Sequence, residues 1–226
     1  MRGMKTLLTL ALAAALQPAV ANTVLNFEDI TATVDPDGFG MIKLLDRYLL
    51  SDGVQFAGDA WGVASFTCDA FGSFVAHDGG CGAVQLAGDP RDTATTTTPL
   101  SLTINFADGF STGSSLVYSA LKGTVFSIEV FDGLDGSGHG TAIGGLVTSQ
   151  CNLSGVSFCG WTALDLQFAG TAYSIVIKGS DESVMVDDLK LVQANGNPNP
   201  LPEPGGVALA FGGLAALAVA HRRTKR

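Results

Sequence analysis

Basic residues are scarce through most of this chain. Of its 12 Lys and Arg, two lie in Met1–Ala21 and four in the last five positions, so between Asn22 and Glu203 six basic residues face 21 acidic ones, a formal net charge of −15. Such a surface repels phosphate backbones and argues against a nucleic-acid partner, while it favours solubility and suits divalent cations or basic partners. Histidine is equally rare, with three residues. No His-Glu-x-x-His segment and no Gly-x-Ser-x-Gly elbow occurs, which removes the signatures of zinc metalloproteases and α/β-hydrolases. None of the four cysteines stands in a Cys-x-x-Cys pair, so structural zinc lacks its usual spacing. Apolar residues at helical spacing are almost missing too.

What is present is a period of two. Leu102, Ile104 and Phe106 alternate with Ser101, Thr103 and Asn105; Phe126, Ile128 and Val130 alternate with Ser127 and Glu129; Leu164, Leu166 and Phe168 alternate with Asp165 and Gln167. Each reads as a half-buried strand. Further strands are expected at Val24–Phe27, Val54–Phe56, Val63–Phe66, Ala83–Leu86, Leu116–Tyr118, Ala142–Val147, Tyr173–Lys178 and Val184–Val192. Between them fall turn pairs such as Asp52-Gly53, Asp108-Gly109 and Asp132-Gly133. Many short strands with Gly-rich turns predict an all-β antiparallel sandwich. Met41–Leu50, with Ile42, Leu45 and Leu49 on one face, reads as a short helix or an irregular strand. The threonine-rich Thr93–Thr98 segment ends at Pro99 and reads as an exposed loop or edge.

Cys68, Cys81, Cys151 and Cys159 allow three pairings; nearness in sequence favours Cys68 with Cys81 and Cys151 with Cys159. Disulfides imply an oxidising compartment, and both ends of the chain agree. Met1–Ala21 has Arg2 and Lys5, an apolar stretch from Leu7 to Leu16 and the small-x-small site Ala19-Val20-Ala21, the pattern of a cleavable signal peptide. Residues 22–192 then form the folded domain, and 193–200, reading QANGNPNP, a kinked polar linker. In 201–226 the order is Pro202-Glu203-Pro204, a charge-free apolar run over 205–220, and a basic end over 221–226. At 16 residues the run is a little short of the ~17 to 25 of a spanning helix, and the basic end should remain cytoplasmic. This tail resembles the PEP-CTERM sorting signal of Gram-negative bacteria. The resemblance implies a single transmembrane helix, recognition of Pro202, Glu203 and Pro204 by a membrane-embedded exosortase, transient residence in the inner membrane, and release to the cell surface or the extracellular (biofilm) matrix. An uncleaved tail anchor is the alternative.

Leu25-Asn26-Phe27-Glu28-Asp29 near the start and Val186-Asp187-Asp188-Leu189-Lys190-Leu191 near the end resemble the opening and closing strands of jelly-roll domains of the carbohydrate-binding-module type. The resemblance implies that these two strands pair, and that acidic residues beside them hold a structural calcium. Calcium is the candidate cofactor on ligand chemistry as well, since carboxylates on Gly-rich turns offer hard oxygens on adaptable backbone. The candidate ligands are Glu28, Asp187 and Asp188 in one group and Asp132 and Asp135 in another, with Asp35 and Asp37 in a third turn; none forms the twelve-residue EF-hand loop.

Other chemistry is weaker. Gly138-His139-Gly140-Thr141 is similar to the histidine segment of subtilisin-like proteases, but no matching serine segment follows, and a Gly-rich turn accounts for it. Paired carboxylates could serve a glycosidase, yet most of these stand in Asp-Gly turns that select Asp for their own geometry. Trp61 and Trp161 could stack on sugar rings, with core placement the blander reading. The expectation is therefore a non-enzymatic, exported structural or adhesive protein. A carbohydrate-binding module for extracellular polysaccharide, supported by calcium, is the alternative, and a matrix polysaccharide hydrolase ranks third.

Overall fold

The computed structural model describes residues 22–31, 41–65, 68, 73–89, 99–148, 151 and 153–194. The expected signal peptide, the threonine-rich segment, the expected turn over 35–38 and the expected sorting tail with Pro202, Glu203 and Pro204 lie outside the described residues. Among the described residues twelve strands form two antiparallel sheets, joined by one short α-helix and two 3-10 turns. The first sheet runs β10 (Thr162–Asp165), β7 (Ser115–Ala120), β12 (Val184–Val192), β5 (Gly82–Leu86), β4 (Ala60–Ala64), β2 (Met41–Lys43), with β1 (Asn22–Leu25) also paired to β12. The second runs β3 (Val54–Gly58), β6 (Leu100–Phe110), β11 (Ala172–Gly179), β8 (Ser127–Phe131), β9 (Gly140–Ala142).

The period-two residues meet between the sheets. Leu116, Tyr118, Val184, Val186, Leu189 and Leu191 from the first sheet pack with Phe56, Leu102, Ile104, Ile128, Val130, Ile175 and Ile177 from the second. Burial of each such side chain is worth about 1.5–3 kcal/mol, so this shared layer makes the sandwich.

The two outer faces are less bare than alternation implies. Behind the first sheet, Val63, Ala83 and Met185 pack with Phe74, Ala76 and Phe158, and Trp161 lies against them. The segments carrying Phe74 and Phe158 are tied to each other: Val75 N–H donates to the Phe158 carbonyl at 2.9 Å and Ser157 N–H to the Ser73 carbonyl at 2.7 Å. Each is closed by a disulfide, Cys68–Cys81 and Cys151–Cys159, in the pairing that nearness favoured. Over the second sheet lies the Asp132–His139 loop, which accounts for the burial of Asn105 and Ser174 on its outward face.

Some elements differ from the sequence expectation. Met41–Leu50 is neither one helix nor one strand: β2 ends at Lys43, and the helix α1 occupies Leu49–Asp52. Its buried pair is Leu44 and Tyr48, whereas Leu45 and Leu49 are exposed. Ala142–Val147 is not a strand beyond its first residue. After one more bond, Ile143 N–H to the Ile128 carbonyl, the chain leaves the sheet through Gly144 and Gly145, whose φ is +76°. The 164–168 strand begins earlier and ends at Asp165, after which Leu166 N–H donates to the Ser114 carbonyl.

Candidate functional site

The first and last strands of the sandwich are neighbours, with Asn22 opposite Val192 and Leu25 opposite Leu189. Just beyond this pairing the acidic residues of both segments lie near enough for the charges of Glu28 and Asp188 to act on Asp187. In β12 the apolar residues follow a 2, 3, 2 spacing, Val184, Val186, Leu189, Leu191, because one extra residue enters against β7 between Asp187 and Lys190. Asp188 sits in the left-handed region, φ +44°. A bulge of this kind changes the phase of a strand and re-aims its side chains. Here it lets Asp187 and Asp188 both avoid the apolar layer while the residues on either side still enter it.

Asp187 is 1% exposed. Its Oδ1 accepts the Asp188 N–H at 2.8 Å, the His77 N–H also donates to this carboxylate, and Oδ2 has no hydrogen-bond partner among the described residues. Burial pushes its pKa up to about 7; the neighbouring charges of Asp188 and Glu28 push in the same direction, and the two backbone donors partly offset them. Asp188 Oδ2 lies 2.6 Å from His77 Nδ1, and the His77 ring meets the Trp161 ring edge-on at 6.1 Å. Glu28, after the left-handed Phe27 (φ +58°), accepts the Cys81 N–H on Oε2 at 2.8 Å. Its carboxylate lies so close over Gly80 that a Cβ there would collide with it, and Gly82 is likewise pressed against the Phe27 carbonyl. The first disulfide loop is thus drawn onto the junction of the two chain ends.

The second expected group is differently used. Asp132 Oδ1 accepts the His139 N–H at 2.6 Å; Asp135 Oδ1 accepts from Asn105 Nδ2 at 2.6 Å, and Asp135 N–H returns a bond to Asn105 Oδ1. Ser174 Oγ completes the seam, donating to the Gly133 carbonyl and accepting the Gly136 N–H. These two aspartates fasten their own loop to the sheet.

Among the described residues no three His, Cys, Asp or Glu side chains converge as a ready metal cage. Comparison with protein-family models, with curated proteins and with solved structures finds no match to this chain.

The chemistry of the Glu28, Asp187 and Asp188 donors suits a hard cation. It offers one orphaned buried oxygen flanked by two carboxylates that each keep an oxygen unspent by the bonds above, and calcium accepts carboxylate and carbonyl oxygens in variable number and geometry. The tryptophans divide. Trp61 is 1% exposed under Lys43, whose ammonium lies 5.3 Å from the ring centroid, so of the two readings offered for it the core placement holds and no open face is left for a sugar ring. Trp161 is half-buried and donates its indole N–H to the Val75 carbonyl at 2.7 Å. Neither Asn105 nor Ser174 stood out in the sequence, since polar residues on an alternating strand read as solvent-facing.

Proposed function

We propose that this chain is an exported, non-enzymatic structural or adhesive component of the cell surface or extracellular matrix. In this reading a jelly-roll-like sandwich is delivered by the signal peptide of Met1–Ala21 and sorted through Pro202-Glu203-Pro204 by an exosortase, with the 205–220 run as its transient hold on the inner membrane. The observation that carries it is the pair of disulfides, each closing a segment of the layer behind the first sheet. Such bonds persist in oxidising compartments outside the cytoplasm, where the two end signals would send the domain. Calcium bound by Glu28, Asp187 and Asp188 would neutralise the junction of the chain ends, and the orphaned Asp187 oxygen supports that part.

The second reading, a carbohydrate-binding module, keeps one aromatic candidate, Trp161, whose ring remains partly accessible beside His77. A glycan array separates the two. The structural reading expects no saturable binding; specific binding that disappears in Trp161→Ala, with the fold intact, would replace it by the carbohydrate-binding one.

A further inference from the structure

The end of the sandwich where the chain enters and leaves carries a group of unpartnered apolar side chains. Asn22 pairs with Val192, Phe110 bridges Gln193, and Ala194 N–H donates to the Gly109 carbonyl, so the first and last described residues and the end of β6 share one end. The first residue of β3, Val54, pairs with Phe106, and α1 precedes it on the side of Phe110 and beside β1. On this helix and its approach Leu50 is 98% exposed, Leu45 51% and Leu49 39%, and on β1 Val24 is 59% exposed. A lone exposed leucine is ordinary; here two stand together on one short helix, Leu50 bare, and the helix touches the strand that carries the exposed Val24.

We propose that this end of the sandwich rests on a lipid bilayer, with Leu49 and Leu50 entering the interface, while the chain still carries its apolar tail. The inference rests on the sorting reading given above. Both membrane-directed segments join the domain here, one before Asn22 and the other after Ala194. Ten residues, Asn195 to Pro204, separate the described chain from the apolar run, which at full extension is no more than ~35 Å. An apolar knob tethered so close to a bilayer meets lipid at high effective concentration, and shallow insertion of leucines is how interfacial elements bind. Asp46 and Asp52 flank the leucines, their carboxylates bonded to Gln55 and Ser51, so zwitterionic lipid suits this surface better than anionic lipid. The contact would hold the sandwich in one orientation and keep the Pro-Glu-Pro motif near the membrane surface during processing.

The test uses the full chain reconstituted into vesicles of brominated phosphatidylcholine, with Leu50→Trp compared with Val125→Trp. Val125 is 90% exposed on the turn after β7, whose Ala120 end pairs with Val184 at the far end of β12. Both sites are open to solvent, so neither substitution disturbs packing, and the wild-type emission of Trp61 and Trp161 is subtracted. Expected is co-flotation of both variants, with the Leu50→Trp emission largely quenched by the brominated chains and the Val125→Trp emission retained. Co-flotation with equal quenching, or with none at Leu50→Trp, overturns the inference and leaves the tail reading standing. Failure of either variant to float overturns the tail reading and this inference with it.

Discussion

Asp187 holds a carboxylate where ionisation is penalised, and that makes a pH dependence with a definite sign. Its pKa is raised from the usual 3.8 to about 7, so between those values the folded protein keeps a proton that the unfolded chain has released. Stability then falls as pH rises through this window and levels above it, by roughly 4 kcal/mol at most. Urea midpoints at ~pH 5 and ~pH 8 should show this fall, and Asp187→Asn should flatten it. Calcium should act in the opposite sense, raising the melting temperature of wild type at neutral pH and leaving Asp187→Asn unmoved, through a site that the unfolded chain lacks. A melting curve indifferent to both calcium and chelator would end the cation reading. At this scale the sequence was informative in part: residue type and position marked Glu28, Asp187 and Asp188, and the charges of Glu28 and Asp188 do bear on Asp187, although the three side chains do not converge as a cage. It could not show that Asp132 and Asp135 spend an oxygen each on loop bonds, or that Trp61 is covered, because both depend on which segment folds over which face.

Among the elements, the alternation at 101–106 and 126–130 marked β6 and β8, that at 164–168 outruns β10, which ends at Asp165, and β12 matches its expected bounds. Its 2, 3, 2 apolar spacing even announces the bulge at Asp187 and Asp188. The stretch 41–50 misled for a physical reason: Ile42, Leu45 and Leu49 have helical spacing, but Leu44 and Tyr48 are the residues that reach the core. Periodicity also could not reveal the layer behind the first sheet, since Phe74 and Phe158 stand alone in irregular segments. Each of its two segments is closed covalently. Replacing Cys151 and Cys159 by serine should cost roughly 2 to 3 kcal/mol on the chain-entropy view of a short loop, read as a lower denaturant midpoint. Trp161, packed against the same layer, should shift its emission to the red as that layer loosens. Unchanged midpoint and unchanged emission would mean that the side-chain packing holds this layer without the bond.

For the molecule as a whole, the proposed function assigns the address to the two ends and leaves the fold between them independent of it. On the sorting reading proposed above, a proline on each side of Glu203 disfavours helix at that residue, and a membrane-embedded protease would find its motif just ahead of the apolar run. In a host with an exosortase the mature protein should therefore lose the segment from about Gly205 to Arg226, and with it the basic end that holds the tail's orientation. Replacing Pro202, Glu203 and Pro204 by alanines should leave a longer form that stays in the membrane fraction. The disulfides should be the same in both forms, because they close within 68–81 and 151–159. Intact-mass measurement of surface-released wild-type protein decides the matter: a C-terminus at Arg226 would replace sorting by a simple tail anchor, whereas a C-terminus close to Pro204 requires a cut at the motif that hydropathy alone would never produce.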